Sequence, residues 1–289
     1  MDPWLIAFGF GVGILVGTTG MGGGSLMTPL LILLFGIKPV VAVGTDLAYA
    51  AITKTAGGFL HFRKGTVQTS LAWWLALGSC PGAVAGVVLL ERLGLEGILL
   101  PLIAAALLLT GALVLLRALI GNGENERDSV PLQARHKAAA IALGASVGFV
   151  LGLTSAGSGT LIAIGLILGF RLAPRRVVGT DVFHAAVLLW VAALAHLFSG
   201  NVDLTLTATI LIGSLPGVWV GTHLSAVLPE RGLRPALGVV LLSSGLALLT
   251  KAGVDIPAAV IIGAPLSLGA FAFLVLRTVK PPLIARTDP

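Results

Sequence analysis

Charged residues are scarce in this chain, and so are the groups that usually carry enzyme or metal chemistry. Only 10% of its 289 residues are Asp, Glu, Lys or Arg, whereas soluble proteins average about 25%. The single cysteine, Cys80, excludes an internal disulfide and makes no thiolate metal site. The 5 histidines lack metal-ligand spacing, and no nucleotide-binding motif is present. We therefore expect no metal, no cofactor and no direct use of ATP.

Apolar residues dominate instead. They make up 56% of the chain, and the mean hydropathy is +1.04, which predicts a helical membrane protein with several spans. The net charge of +6 is typical of basic cytoplasmic loops, so it does not indicate a nucleic-acid partner. Because Met1 to Trp4 carry no positive charge before the first apolar run, no cleavable signal peptide is expected.

Two glycine-rich stretches interrupt long apolar runs, at residues 17–25 and 152–160. Each glycine costs a helix about 1 kcal/mol relative to alanine, so both runs should open at these points. At membrane depth, open backbone is tolerated only where it is buried in protein or lines a wet cavity. One break in each half of the chain therefore predicts a binding site between the halves.

The second half of the chain repeats the first at an interval of 135 residues, without a gap between residues 17 and 90. The interval maps Gly44-Thr45-Asp46 onto Gly179-Thr180-Asp181. A period of this length indicates a duplicated half. The predicted units are a first repeat at 1–120, a cytoplasmic linker at 121–137, a second repeat at 138–253, and an extra span with its tail at 254–289.

The distribution of Lys and Arg predicts the topology. If each broken run crosses the membrane once, the two sides hold 7 and 10 of these residues. If each run is a re-entrant hairpin, they hold 3 and 14, a clear positive-inside pattern. The hairpin interpretation gives seven full spans, with the N-terminus outside and the C-terminus in the cytoplasm. It also makes the halves inverted relative to each other.

The predicted fold class is therefore an all-α polytopic membrane protein. Each of its two inverted repeats has one glycine-broken helix, re-entrant or discontinuous, and three spans. Inverted repeats with broken helices are the build of alternating-access transporters. Small-residue seams such as Gly78-x-x-x-Gly82-x-x-x-Gly86, and their copies in the second half, are assigned to close helix packing.

The side chains singled out inside the predicted spans for coupling or gating are Asp46, Asp181, His184 and Lys54. Intramembrane charges are costly and by default mark a pathway or a coupling site. The aspartates couple transport, or cap exposed amide groups of the broken helices, and the two roles can coexist. His184 shares a helix face with Asp181 and could pass a proton. Lys54 attracts an anion or pairs with Asp46, eight residues earlier.

The breaks are the predicted anion receptor, because exposed amide groups at a helix start attract oxyanions. Nearby hydroxyl groups add hydrogen-bond donors. His61 and His196 lie at span ends and are interpreted as caps. The predicted solute-binding residues are Thr18, Thr19, Gly22, Gly23, Gly24, Ser25, Thr45, Thr154, Ser155, Gly157, Ser158, Gly159, Thr160 and Thr180.

These motifs resemble those of the TauE/SafE sulfite exporter family of bacterial membrane permeases. The matching pieces are G-x-G-G-G at residues 20–24, V-G-T-D at 43–46 and 178–181, and the G-x-G of residues 157–159. The resemblance covers nearly the whole chain and implies a multi-pass protein of the bacterial inner membrane. It also implies movement of sulfite, organosulfonates or related sulfur compounds. Aspartate after Gly-Thr departs from the small polar residue common in the family, so the substrate or coupling ion could differ.

The leading hypothesis is a secondary transporter, an exporter of a small anion bound between the broken helices. An ionised aspartate beside the anion would repel it, which favours a protonated aspartate during transport. A membrane-embedded enzyme that uses Ser25, Asp181 and His184, and a passive anion channel, are the alternatives. The expected partners are a small anionic solute and the lipid bilayer. A homodimer is compatible with the sequence, and nucleic acid is not expected.

Overall fold

The computed structural model of the chain describes residues 3–19, 24–119, 129–130, 132–225 and 230–278, and this part of the chain folds into eleven helices without a strand. The expected all-α class is confirmed. The helices are α1 (Pro3–Thr19), α2 (Gly24–Leu34), α3 (Pro39–Arg63), α4 (Thr69–Arg92), α5 (Glu96–Leu119), α6 (Ala134–Thr154), α7 (Ser158–Leu168), α8 (Pro174–Phe198), α9 (Leu204–Ser225), α10 (Glu230–Lys251) and α11 (Ala258–Thr278).

Six of these helices are long and apolar enough to cross a membrane: α4, α5, α6, α8, α9 and α11. The set differs from the seven predicted spans. It includes α6, which we placed in a hairpin, because that helix runs for 21 residues. It lacks α3, which is as long as α8, with 25 residues, but is made more polar by Asp46 and Lys54. It also lacks α10, whose apolar part is the 17-residue segment Pro235–Lys251.

The order of helices repeats along the chain. Pro39 and Pro174, 135 residues apart, begin α3 and α8, where proline suits the first turn of a helix because its missing N–H would be unpaired there anyway. The short helices α2 and α7 both have 11 residues. The first five helices thus have counterparts in the next five, and α11 has none.

The second glycine-rich stretch interrupts the helix. The α6 helix ends at Thr154 and α7 begins at Ser158. Between them, Ser155 and Gly157 take left-handed backbone angles, with φ of 58° and 96°. Glycine adopts this conformation without steric cost, which explains Gly157. In the first half, α1 ends at Thr19 and α2 begins at Gly24, and the intervening residues 20–23 lie outside the described part of the chain.

Glycines allow close packing between helices of the two halves. In the contact of α4 with α6, a Cβ on Gly82 would lie 2.5 Å from the carbonyl oxygen of Ala145. In the contact of α1 with α9, a Cβ on Gly217 would collide with the carbonyl oxygen of Phe10. Contacts advance in the same direction along both partners, so each pair is parallel. The packing role predicted for the small-residue seams is confirmed.

Counterpart helices also pack on each other, but in opposite directions. In the contact of α3 with α8, Trp190 donates a hydrogen bond of 2.9 Å to the hydroxyl of Thr55, near the middle of both helices. Phe62, near the end of α3, stacks on Phe183, near the start of α8. In the contact of α5 with α10, Gly111 lies against Leu242 and Gly245 against Leu108, again in reversed order. Each counterpart pair is therefore antiparallel.

Candidate functional site

The repeated Gly-Thr pairs join the two halves. Thr45 accepts a hydrogen bond of 3.2 Å from the amide of Asp203, just before α9. Thr180 accepts the matching bond of 3.0 Å from the amide of Gln68, just before α4. Both threonines are fully buried. Each hydroxyl therefore satisfies an amide group at the start of a helix from the other half.

The glycine before each threonine makes this approach possible. A Cβ on Gly44 would collide with the carbonyl oxygen of Asn201, and a Cβ on Gly179 would lie 2.6 Å from the carbonyl oxygen of Thr66. The Gly-Thr part of the motif is thus a docking element, with one copy at each end of the antiparallel α3–α8 pair. The predicted solute-binding role of Thr45 and Thr180 stays a prediction.

Asp46 lies next to this docking element and faces the protein interior. Thr28 on α2 donates a hydrogen bond of 2.6 Å to Asp46 Oδ2, and Ser155 at the α6–α7 break donates one of 2.9 Å to the same oxygen. The two hydroxyl oxygens lie 2.6 Å apart. Asp46 is 0% exposed, and its Oδ1 has no hydrogen-bond partner among the described residues. Three separate helical segments therefore meet at one carboxyl group.

Further hydrogen bonds fix the α6–α7 break next to Asp46. Thr154 donates to the carbonyl of Val150 at 2.7 Å and accepts from the amide of Ala156 at 3.3 Å. His196 on α8 donates from Nε2 to the carbonyl of Gly152 at 2.8 Å, so this nitrogen carries the proton. The bond satisfies one of the last carbonyl groups of α6. The interpretation of His196 as a cap is confirmed.

Asp181 has a different environment, at the start of α7. A Cβ on Gly159 would lie 3.5 Å from Asp181 Oδ2 and 3.9 Å from Lys54 Nζ. Lys54 is half-buried and reaches this point from α3. A carboxylate, an ammonium group and the first turn of a helix therefore converge. No ion pair joins Lys54 to Asp46 within the described chain, so the structure does not bring about the pairing that the sequence left open.

The two aspartates are not equivalent, because the repeat fails around them. The counterpart of Thr28 is Ala163 and that of Ser155 is Gly20, so neither hydroxyl group has an equivalent for Asp181. Conversely, the counterpart of Lys54 is Leu189. The first aspartate therefore has hydroxyl partners and the second has a nearby cation.

His184 forms a hydrogen bond with a partner other than Asp181 and Ser25, the residues with which the sequence analysis grouped it. Its Nε2 lies 2.8 Å from the hydroxyl of Ser79 on α4, and both side chains are buried. No hydrogen bond links His184 to Asp181 or to Ser25 in the part of the chain that the structure describes. The proposed arrangement of Ser25, Asp181 and His184 as an enzyme site is thus not found among the described residues.

Comparison with known proteins assigns the family. The model of the family described as Sulfite exporter TauE/SafE matches residues 5–248. The chain belongs to the TauE/SafE sulfite exporter family. It is 39% identical over 256 residues to the probable membrane transporter protein YjnA of Bacillus subtilis (strain 168), covering 86% of this chain and 100% of the relative. For YdhB of the same organism, also named a probable membrane transporter protein, the identity is 30% over 83% of this chain and 97% of the relative. No solved structure matches the chain.

The surface suits the multi-pass membrane protein that this TauE/SafE membership indicates. Large apolar side chains are exposed along the long helices, among them Phe198 at 87%, Trp219 at 67% and Phe271 at 61%. A soluble protein rarely exposes so many large apolar side chains, whereas lipid tails solvate them. The resemblance noted in the sequence is confirmed, and the chain is a multi-pass membrane protein.

The other predicted solute-binding residues are placed in part. Thr18 donates a hydrogen bond of 3.0 Å to the carbonyl of Leu15 on its own helix, and Thr160 is buried in the first turn of α7. Gly24 and Ser25 begin α2. Gly22 and Gly23 lie outside the described residues, as do the side chains of Thr19 and Ser158.

Sequence reasoning missed two polar side chains of the site, Thr28 and Ser79. Thr28 lies in the apolar segment that forms α2, where a single threonine has no distinctive spacing. Ser79 belongs to a small-residue seam and was assigned to packing. Ser79 has a counterpart in Ser214, so conservation of a hydroxyl across the repeat was an available signal. Among the described residues, no three His, Cys, Asp or Glu side chains are grouped as a metal site.

Proposed function

We propose that this TauE/SafE protein is a secondary transporter that exports a small anion, namely sulfite or a related sulfur oxyanion or organosulfonate. The family description supports the substrate class, and the names of the relatives support transport. Export is the direction given in the family description. The observation that carries the proposal is the convergence of Lys54 with the first turn of α7.

An anion would bind where this convergence occurs. The N-cap of α7 is Gly157, which has no side chain to satisfy the exposed amide groups of the first turn. Such amide groups and the positive end of the helix dipole attract oxyanions. Lys54 Nζ adds a full positive charge near Gly159. In this proposal Gly157, Ser158, Gly159 and Thr160 bind the solute through their backbone or hydroxyl groups, and the first break contributes its own residues from the other half.

Inverted repeats with two re-entrant hairpins are the architecture that we propose for transport. Helices α4 and α6 are parallel, and so are α4 and α8, since Gln68 binds Thr180 and Ser79 binds His184. The start of α7 lies at Asp181 and its end leads to Pro174, so α7 runs against α8. The chain direction thus reverses between α6 and α7, as a hairpin requires.

The loops gather at two ends in the way that the hairpin topology requires. At one end, Arg176 donates to the carbonyl of Gly65 at 2.6 Å, and Gln68 donates from Nε2 to the carbonyl of Val130 at 3.0 Å. At the other end, Asn201 donates to Glu91 at 3.1 Å. We assign the first end, with most Lys and Arg residues, to the cytoplasm of a bacterial cell, which leaves the N-terminus outside.

Coupling to protons completes the proposal. An ionised carboxylate beside the bound anion would repel it, so the anion enters more readily when the aspartates are neutral. We assign coupling to Asp46 and Asp181, with His184 as a neighbouring polar group. Binding of the anion between the halves, followed by rocking of the hairpins, would give alternating access.

Flux into proteoliposomes tests the function. Purified protein is reconstituted, a pH gradient is imposed, and uptake of sulfite, thiosulfate, sulfate and a sulfonate is compared. We expect saturable flux of at least one sulfur anion that follows the gradient. Saturable chemical turnover of the anion in detergent would indicate an enzyme, and non-saturating flux that ignores the gradient would indicate a channel.

The anion site is tested with Lys54. We expect Lys54→Met to reduce flux at low solute concentration about tenfold or more, because one desolvated charge interaction is worth on the order of 1.4 kcal/mol or more. Lys54→Arg should retain more of the flux. Lys64→Met removes the same side chain from the exposed end of α3 and serves as the control. Equal flux in Lys54→Met and wild-type protein would contradict the proposed site.

A further inference from the structure

Three side-chain oxygens form a closed triangle at the α6–α7 break. The oxygens are Asp46 Oδ2, Thr28 Oγ1 and Ser155 Oγ, and their separations are 2.6, 2.9 and 2.6 Å. All three residues are buried. Oxygens at such separations repel each other unless a hydrogen lies between them. The triangle therefore needs one hydrogen for each of its three sides.

The two hydroxyl groups cannot supply three hydrogens. Thr28 and Ser155 each carry one, and an ionised carboxylate carries none. A third hydrogen on Asp46 Oδ2 completes the ring: Thr28 donates to Oδ2, Oδ2 donates to Ser155 instead of accepting from it, and Ser155 donates to Thr28. We propose that Asp46 is the proton-binding site of this protein, and that Thr28 and Ser155 are the positioning residues that hold its proton in this conformation.

No charged side chain contributes to the triangle. The helices that meet there, α2 and the end of α6, carry no ionisable group near it. The other ionisable groups on the elements packed around Asp46 are Tyr49, Lys54, His61 and Arg63 on α3, Arg175, Arg176, Asp181, His184 and His196 on α8, and Asp203 before α9. His196 is held by the carbonyl of Gly152, and the amide of Asp203 binds Thr45. None of them forms a hydrogen bond with Asp46 in the described chain, so no neighbouring group supplies the third hydrogen of the triangle.

The sequence independently restricts the ring to one aspartate. By the interval of 135 residues, the counterparts of Thr28 and Ser155 are Ala163 and Gly20, neither of which has a hydroxyl group. Lys54 lies near Asp181 instead. We therefore assign the proton to the first aspartate, and the anion-binding surroundings to the second.

Loss of the proton would open the ring. Without it, one oxygen–oxygen contact has no hydrogen, and a carboxylate lies buried without a cation, which is strongly unfavourable. The α6–α7 break then separates from α2 and α3, and the proton passes from Oδ2 to the water that enters. The statement that this movement drives anion transport rests on the proposed function, whereas the proton site itself does not.

Infrared difference spectroscopy of the purified full chain detects the proton directly. We expect a carboxylic-acid C=O band at neutral pH that disappears in Asp46→Asn. The band should persist in Asp181→Asn, which removes a buried carboxyl group without the ring. A spectrum without this band, or a band that is lost only in Asp181→Asn, would overturn the proposal. Sodium-dependent loss of the band would instead indicate a sodium ion at Asp46 and would also overturn it.

Cysteine labelling reports whether the ring holds the break closed. Cys80 is replaced by alanine, and Ala156, which is 1% exposed, is replaced by cysteine. Because the thiolate is the reactive form, each labelling rate is divided by that of an exposed Lys64→Cys control measured at the same pH. We expect this ratio to rise at least tenfold from low to high pH. Adding Asp46→Asn, whose amide supplies the missing hydrogen, should keep the ratio low at every pH, and a ratio that still rises with pH in this variant would contradict the ring.

A matched pair of threonine variants isolates the positioning role. Thr28→Val keeps the shape of the side chain but removes one member of the ring, so labelling at low pH should rise about tenfold. Thr53→Val removes a hydroxyl that binds only carbonyl groups of its own helix, at 3.1 and 3.2 Å, and should leave labelling unchanged. If both variants label alike, Thr28 has no positioning role. Neither readout needs a substrate, so these results stand apart from a failure of the flux assay.

Discussion

At the scale of single residues, the Gly-Thr-Asp motif divides three tasks among three neighbours. Glycine lets a loop of the other half approach, threonine binds an amide group of that loop, and aspartate is left facing the interior. The sequence pattern identified all three residues, with the threonines predicted to bind the solute and the aspartates to couple transport. The docking contacts of the threonines involve residues more than 100 positions away, and no local spacing shows such contacts.

The threonines of the motif provide a prediction about stability. We expect Thr45→Val and Thr180→Val each to lower the free energy of unfolding by about 1–3 kcal/mol, because a buried amide group loses its acceptor. Thermal unfolding in detergent measures the loss, and Thr45→Ser, which retains the hydroxyl group, should restore most of it. The solute concentration for half-maximal flux should stay unchanged. A large change in that concentration would show that these hydroxyls bind the solute.

Residue-level inference from the sequence was weakest for groups that break the repeat. The position of Lys54 suggested Asp46 as a partner, since both lie on one helix. The antiparallel crossing of α3 and α8 brings it to Asp181 instead. Thr28 gave no signal, because its counterpart is Ala163 and its surroundings are apolar. The repeat identifies the residues that the two halves share, whereas Lys54 and Thr28 have no equivalent in the second half.

At the scale of helices, close backbone contact holds α1 to α9 and α6 to α4, each a helix of the other half. Glycine seams were predictable from their spacing, because small residues four apart line one face. Their partners were not predictable, since the same seam could serve any neighbour. The break at residues 155–157 was also predictable from glycine content, although Ser155 rather than a glycine adopts one of its left-handed conformations.

Two glycines in the parallel helix pairs allow a matched test of this packing. We expect Gly82→Ala to destabilise the protein by about 1–3 kcal/mol, because the new methyl group would lie 2.5 Å from a backbone oxygen of α6. Gly11→Ala, on the open face of α1 with nothing within 4 Å, should be neutral or stabilise by up to about 1 kcal/mol. Unfolding midpoints of the two variants decide the matter. Equal destabilisation would mean that both positions are sensitive for a reason other than contact.

At the scale of the whole molecule, the two halves interlock rather than lie side by side. The counterpart pairs α3 with α8 and α5 with α10 are antiparallel, while α1 packs on α9 and α6 packs on α4. The duplication and the helical class were predictable from composition and from the interval of 135 residues. The interlocking was not, because a repeat in sequence is compatible with separate as well as intertwined halves.

The placement of the loops allows the topology to be tested in intact cells. In a Cys80→Ala background, single cysteines replace Lys64, Leu93 and Asn201, all in short connections between helices. Because Asn201 contacts Glu91, cysteines at positions 93 and 201 should share a side and react with a membrane-impermeant maleimide from outside. Lys64→Cys lies at the other end and should react only after the membrane is opened, as the positive-inside pattern requires.

The outcome distinguishes the two topologies that the Lys and Arg distribution leaves open. If each broken run crossed the membrane once, positions 64 and 201 would be on one side and position 93 on the other. Labelling of 93 and 201 together therefore requires that the chain reverses direction at the second break. Labelling of 64 and 201 together would remove the re-entrant hairpins, and with them the placement of the α7 first turn inside the membrane, where it could meet an anion.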